Sequence, residues 1–536
     1  MRMGRQGVAV ICVAAAFSAR AAAQDTTAVA VDTAVVTDTV IASADTSPAV
    51  TDTRMRGGSS FHASPLLPED HWAVRAAWRA EALGLTRFLP AQRAVPRAEV
   101  ARALAEAAAN ASSPSLRALA TGWEARFVEE FPEYGLANRA SGPVTLLGGQ
   151  AAAGVDDASG RVGAVIGYQI NRQDPRPLPD VSAARVSLLG GVALPWASAS
   201  AEGAYRGGEA VLRQWDVAVG AGPFQLSVGR APVGYGYGRT GGIVYSDPDA
   251  LPRIELQTTR PFRLPSLLRY LGPVTLHTFA GPVNDPARHP TNPDLWGLRA
   301  AMQPHPRVTL AINRGSMFGG DAEPVTAGRV LRMLVGVVHS RFENQILSLE
   351  GRYRLPTETV VPATLYVEWG ADDAAGALDE EPARIIGLFL PALPGVPNAA
   401  LGAEYTYFKH ACCGHGVWYT SATFRGNWAV HDRPLGHPLG GEGAEYAAYV
   451  QGDALDARLR LDARAFLRDR SDYSLHIPRY NGGNLYTPTR TGRSEGGRLD
   501  AAFRLFPRAE ARARWQLEHG DWGTEHSLQA TFAWLF

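Results

Sequence analysis

The sequence predicts an all-β transmembrane barrel of about 18 antiparallel strands with a small N-terminal α-helical bundle, and three observations lead there. The chain ends in HSLQATFAWLF, where Phe536, Trp534, Phe532, Ala530 and Leu528 share one parity and Leu535, Ala533, Thr531, Gln529 and Ser527 the other. Period two is a strand. A strand that stops on an aromatic terminus with nothing to cover its edge is odd in a soluble domain. It is natural as the closing strand of an outer-membrane barrel, with its bulky side on lipid and its last residue in an aromatic girdle. Second, little after Ser141 keeps a helical period, and about twenty segments read as strands. Third, the connections between them are either tight or long, as in barrels with short periplasmic turns and long outer loops.

At the N-terminus, Arg2 and Arg5 precede an apolar run from Gly7 to Phe17 and small residues before Gln24. This pattern predicts a signal peptide over residues 1–23, cleaved after Ala23, because the run is too short for a spanning helix. Cys12 lies inside the run rather than at the cleavage position, leaving Cys412 and Cys413 to the mature chain. Within residues 24–62 the stretch 26–53 is built almost wholly from Asp, Thr, Val, Ala and Ser. Such a segment cannot bury a core, and a disordered leader is expected.

Between residues 63 and 140 the period becomes helical. Trp72, Ala76, Ala80 and Leu83 fall on one face before Gly84; Pro96 opens a second helix with Val100, Leu104 and Ala108 in register; Leu116, Leu119, Trp123 and Phe127 form a third stripe. Three short helices have too little core to be stable alone. A periplasmic bundle docked on the remainder is expected.

Residues 141–536 form the predicted barrel. The roughly 396 residues divided among about 18 strands leave about 22 for each strand with its connection. The candidate strands include RVGAVIGYQI, ARVSLLGGVAL, VTLHTFAG, RVLRMLVGVVH, ATLYVEWGAD, ALGAEYTYFKH and WYTSATFRGN. ALPWAS, LGP, QPHPR and LFPRA read as tight turns. GRAPVGYGYGRTGGIVYSDPDALPR, GSMFGGDAEPVTAG and RDRSDYSLHIPRYNGGNLYTPTRTGRSEGG read as long loops, and the alternation slips near Lys409–Gly416.

Composition narrows the function classes. A net charge of +0 argues against a nucleic-acid partner, which calls for a basic excess. Lys409 is the single lysine among 52 basic residues, a bias that a GC-rich genome accounts for equally well. His410, Cys412, Cys413 and His415 crowd together in HACCGH, but zinc ligands usually have two to four residues between them. A vicinal disulfide or two buried thiols fits an oxidising compartment better, so no metal and no cofactor are expected.

Several segments in order resemble the Wzi capsule-assembly family of outer-membrane proteins. HWAVRAAWRAEALGLTRFLPAQRAVPRAEVARAL is similar to its helical region, and GRAPVGYGYGRTGGIVYSDPDALPRIELQTTRPFRLPSLLRYLGPVTLHTFAGPV to its central block. Tyr235, Gly236, Tyr237 and Gly238 stand there in place of the expected Trp-Gly, and LYVEWGADD, LGAEYTYFKH and RPLGHPLGGEG complete the likeness. The resemblance implies an 18-stranded monomer closed below by the helical bundle, a lectin that retains capsular polysaccharide at the cell surface. It brings no catalytic residues.

Lectins stack aromatic faces on sugar rings and hydrogen-bond hydroxyls or carboxylates with planar polar groups. The candidates here are Tyr235, Tyr237, Arg239 and Tyr245 in one Gly-rich loop, and Tyr473, His476, Arg479, Tyr480, Asn481, Tyr486 and Arg490 in another. Each tyrosine could instead pack within its loop or mark the interfacial belt. The partners expected are surface polysaccharide, outer-membrane lipid and, through Phe536, the barrel-assembly machinery. Two other readings stand beside the lectin. A diffusion porin would use the many strand arginines to line a polar lumen. A barrel hydrolase would use Ser474 and His476, although these would occupy one strand face or a loop rather than a nucleophile elbow.

Overall fold

Inside hydrocarbon no water is at hand for backbone N–H and C=O groups, so a strand protein that spans a membrane must close on itself. The computed structural model has that closure. It describes residues 61–89, 92–135, 144–159, 183–206, 208–284, 289–321, 324–335, 342–372, 382–408, 418–421, 423–424, 428–430, 433–455, 458–471 and 491–536. Predicted features at residues 1–60, 161–170 and 472–490, and the HACCGH cluster, lie outside the described residues.

Eighteen strands make the wall: β1 (Thr145–Ser159), β2 (Ala183–Ala193), β3 (Ala197–Arg206), β4 (Glu209–Ala221), β5 (Phe224–Gly234), β6 (Ser246–Thr258), β7 (Pro273–Pro282), β8 (Asp294–His305) and β9 (Val308–Phe318), followed by β10 (Glu343–Arg354), β11 (Thr364–Asp372), β12 (Ala383–Leu390), β13 (Ala399–Phe408), β14 (Gly443–Ala454), β15 (Leu459–Arg470), β16 (Gly492–Phe506), β17 (Ala509–Gly520) and β18 (Gly523–Leu535). Each pairs antiparallel with the next, and β18 closes on β1 from His526 opposite Ser159 to Leu535 opposite Gln150. No described helix is long and apolar enough to cross a membrane.

Side chains alternate as the closing strand predicts. Leu528, Phe532, Trp534 and Phe536 are 41%, 46%, 47% and 49% exposed, whereas Ser527 before them and Ala533 among them are fully buried. Across the wall Leu365, Val367 and Trp369 face outward, while Tyr366 and Glu368 are buried in the interior. An apolar exterior with a polar interior is the pattern lipid and lumen require.

Three of the four tight turns read from the sequence, ALPWAS, QPHPR and LFPRA, join neighbouring strands directly at one end, the turn end, which also carries the start of β1 and the end of β18, whereas LGP only finishes the longer 259–272 connection at that end. The long connections lie at the other, the loop end. Three expectations need correction. RVLRMLVGVVH is not a barrel strand: Ala327–Leu334 is helical, with Thr326 accepting a hydrogen bond from Arg329 N–H at its start. WYTSATFRGN is no wall strand either, since residues 409–442 form one connection between β13 and β14, which removes the slip in alternation. The loop ending in VYSDPDALPR contains β6, whose prolines hid it. β6 meets β7 only at Ile254–Gln257, so Pro248 and Pro252 lie where no ladder bond to β7 is made.

The bundle comprises α1 (Trp72–Ala82), α2 (Arg97–Asn110) and α3 (Pro114–Glu130). His71 caps α1 through Nδ1, and Gly84 with φ 74° ends it, letting Leu85 N–H donate back to Ala80 O at 2.9 Å. Ser113 caps α3 ahead of Pro114. The predicted stripes meet in one core that contains Trp72, Ala76, Val100, Leu104, Trp123 and Phe127.

The bundle plugs the barrel interior through charge. Arg75 pairs with Asp462 of β15 at 2.7 Å, Asp70 with Arg514 of β17 at 3.0 Å, and Glu81 with Arg352 of β10. Glu510 of β17 is shared by Arg126 of α3, Arg460 at 3.1 Å and Arg512 at 2.6 Å. Arg79 donates to the carbonyls of Pro391 and Pro397, both at 2.5 Å, in the turn between β12 and β13. Gln225 of β5 exchanges two hydrogen bonds with the backbone of Ser64.

Two outcomes follow from this docking. Glu510→Ala strands three guanidiniums around one vanished carboxylate and weakens seating of the bundle by about 3–5 kcal/mol. Protease cleavage within residues 61–135 should then rise while the barrel keeps its heat-modifiable gel migration. Burial raises the carboxyls of Asp70 and Glu106, but Arg514 and Arg75 beside the first, and Arg102 and Arg87 beside the second, overcome it and lower each to about 2. Groups depressed in the folded state stabilise it above their unfolded values and lose that contribution as pH falls. The bundle should resist the same protease at pH 5 and loosen between about pH 4.5 and pH 2.

Candidate functional site: the filled mouth

At the loop end the barrel is filled by its own connections. Residues 235–245, between β5 and β6, fold inward, and so do the described parts of the 409–442 connection. Tyr235, Ile243, Val244, Tyr245, Tyr419, Phe424, Trp428 and Leu435 are all completely buried in one cluster with Phe279, Met317 and Phe408 of the wall. Trp428 Nε1 donates to Val244 O at 2.8 Å and Tyr419 Oη to Ile243 O at 2.7 Å, so the two segments are fastened to each other.

The wall holds the first segment by its backbone. Glu404 of β13 accepts from the N–H groups of Arg239 at 2.7 Å and Thr240 at 2.9 Å, and from the Tyr366 hydroxyl at 2.7 Å. Glu368 of β11 accepts from Ile243 N–H at 3.2 Å and from Ser348 at 2.6 Å. Glycine is needed where the chain is this tight. Gly236 has φ 96°, and a Cβ on Gly242 would lie 2.1 Å from the Tyr235 carbonyl oxygen.

His437 completes the network. Burial lowers its imidazole to about 3; Glu445 opposes this, and Arg468 and Arg464 add to the lowering, so the ring is neutral. Nδ1 accepts from Leu439 N–H at 3.1 Å, which leaves the proton on Nε2 to donate to Thr240 Oγ1 at 2.8 Å. Thr240 Oγ1 in turn donates to Glu404. Every polar atom along this chain has a protein partner, so it acts as a clasp.

The four described sugar candidates belong to this interior. Tyr235 and Tyr245 have no exposed surface: Tyr235 Oη lies 2.8 Å from His277 Nδ1, and Tyr245 Oη donates to Trp296 O at 2.9 Å. Tyr237 lies between the guanidiniums of Arg352 and Arg299, 4.6 and 5.4 Å from its ring centre, with Trp78 of α1 at its edge. Arg239 meets Asp462 at 3.3 Å and lies over Tyr449. Both point toward the bundle, and the two fillings meet where Arg93 donates to Gly238 O. Tyr473, Arg479, Tyr480, Asn481, Tyr486 and Arg490 lie outside the described residues, in the connection from β15 to β16 at the loop end.

Sequence reading missed Glu368, Glu404 and His437. The two glutamates have a local signal, an acid on the inward parity of TLYVEWGAD and AALGAEYTYF. What they grip is remote in sequence and carries none. Between the bundle and the wall a cavity of about 290 Å³ remains, lined by Asp70, Arg75, Arg213, Asp216, Arg460 and Asp500 among others. Among the described residues no group of three His, Cys, Asp or Glu side chains could hold a metal ion.

Residues 154–531, from within β1 to within β18, match the family model described as capsule assembly protein Wzi. Wzi of Escherichia coli, an outer-membrane protein involved in group 1 capsule assembly and a carbohydrate-binding β-barrel, is similar in structure with a TM-score of 0.65 at 16% identity, over 88% of this chain and 99% of that one. OpdQ and OprD of Pseudomonas aeruginosa each reach a TM-score of 0.42, at 10% and 9% identity, over 73% and 74% of this chain and 98% and 96% of theirs. A search of curated proteins gave no significant match. The structural likeness speaks to the fold alone, whereas the family match covers well over half of the sequence. The chain belongs to the capsule assembly protein Wzi family.

Proposed function

We propose that this barrel lies in the outer membrane with its bundle on the periplasmic side and its loop end outward, where it binds surface polysaccharide and helps assemble or retain it without transforming it. The observation that carries the reading is the double filling of the interior in a chain of this family. Helices occupy the lumen from the turn end, and residues 235–245 with the described parts of the 409–442 connection occupy it from the loop end, so a polymer is met at the mouth and not threaded through. The carbohydrate binding of the Escherichia coli barrel supports the same assignment. A diffusion channel would need a lumen that these segments leave open.

Sugar contact falls to the connection between β15 and β16. Tyr473, Tyr480 and Tyr486 supply ring faces there, and Arg479, Asn481 and Arg490 supply planar donors suited to hydroxyls and uronic carboxylates. Tyr235 and Tyr245 belong to the buried core at the loop end, and Tyr237 and Arg239 join that core to the bundle. The protein works as a monomer in outer-membrane lipid, with Phe536 presented to the assembly machinery during insertion.

Replacing Tyr480 and Arg479 together with alanine should weaken retention of capsular or exopolysaccharide about tenfold or more, through one stacking face and one charged hydrogen bond. Unchanged gel migration would show an intact barrel, and unchanged retention would remove the assignment. Incubation with the same polysaccharide should release no shortened glycan. In planar bilayers the purified protein should give small conductance, and large stable openings would exclude a filled lumen.

A further inference from the structure

The helix that replaces a predicted strand, α4 (Ala327–Leu334), lies on the outside of the barrel. Its buried face, Val330 and Met333, packs on Trp296, Leu298, Phe318 and Phe342. Trp296 and Leu298 alternate with Arg299, which turns inward to Glu350, so they are on the outer surface of β8. Arg314 of β9 shares their outward parity. Its guanidinium donates to Gln345 Oε1 of β10 and to the carbonyls of Met333 at 2.6 Å and Leu334 at 3.2 Å. A cation on the lipid face of a barrel is costly. Here the open carbonyl end of a helix covers it, the polarity that a helix C-terminus favours.

This contact also fixes depth. Arg314 stands opposite Leu298 and Leu347, and two residues farther along the strands is the row Ala300, Ile312 and Leu349, where Ile312 and Leu349 are exposed to lipid. Two strand residues span about 7 Å, so the last turn of α4 lies just above the hydrocarbon-facing band. That turn presents Leu331, Leu334 and Val335, which are 62%, 43% and 67% exposed. Spacings of three and four put them on one flank of the helix, away from exposed Arg332.

We propose that α4 is a lipid-seated interfacial helix. Leu331, Leu334 and Val335 enter the acyl boundary of the leaflet at the loop end, and Arg332 turns toward its anionic head groups. Amphipathic helices with a basic edge lie in such interfaces. Here the apolar flank continues the outward surface of β9 and β10 instead of standing alone. The inference concerns the barrel's outer surface and is independent of polysaccharide binding.

The test uses full-length protein with Cys12, Cys412 and Cys413 changed to serine, carrying Leu331→Cys or, as a second position, Val335→Cys. Each is labelled with an environment-sensitive fluorophore and reconstituted into phosphatidylcholine vesicles containing phosphatidylglycerol. Nitroxide carried high on the acyl chain should cut emission by about half or more, while aqueous iodide has little effect. Asp321→Cys, exposed at the start of the same connection, should respond to iodide and not to lipid nitroxide. Leu349→Cys on the wall should respond to lipid nitroxide. Iodide quenching at both Leu331→Cys and Val335→Cys, or quenching by neither agent, overturns the proposal. Loss of the lipid response at Leu349→Cys as well would instead overturn the membrane barrel.

Discussion

The ladder that joins β18 to β1 is the contact on which the rest of the structure depends. Without it two strands would present unpaired N–H and C=O groups to hydrocarbon, where nothing can satisfy them. Closure also dictates composition. Once a strand is paired on both sides, alternate side chains must face either lipid or lumen. That is why Leu528, Phe532 and Trp534 are apolar while Ser527, Gln529 and Glu525 between and before them are not.

A wall of 18 strands encloses more space than its own inward side chains fill. The chain answers from both ends, with different chemistry. At the turn end, guanidinium–carboxylate pairs are drawn out of water, which is tolerable only because nearly every charge has a partner with good geometry, as Glu510 does among three arginines. At the loop end, an aromatic core supplies the bulk, and Glu368 and Glu404 satisfy backbone N–H groups of a loop that would otherwise be buried without partners. The first kind of contact depends on charge, the second on shape and hydrogen bonding.

What could be read from the sequence is what is local. The parity of the last strand, the stripes of α1 to α3, and three of the four tight turns are set over a few residues each, and they reappear in the fold. RVLRMLVGVVH was ambiguous because a continuous apolar run suits a strand and a buried helix alike. Its helix is settled by Trp296, Phe318 and Arg314, which lie on other strands. WYTSATFRGN has the aromatics of a wall strand, yet Tyr419 donates its hydroxyl to Ile243 O, as the next aromatic, Trp428, donates its indole N–H to Val244 O. The Gly-rich loop was legible as special, but its Tyr235 and Tyr245 are buried in the interior instead of facing outward. Its inward fold was not legible, since the glutamates that draw it in are more than a hundred residues away.

The bundle precedes the wall in the chain but is fastened to its far end. Asp70 meets Arg514 across 444 positions and Arg126 meets Glu510 across 384. A polypeptide still emerging from the translocation machinery therefore has helices with nowhere to go, because their anchoring carboxylates and guanidiniums on β15 and β17 arrive almost last. Full seating of the bundle therefore needs the whole chain, because Asp462 of β15 and Glu510 and Arg514 of β17 join only when the last strands do.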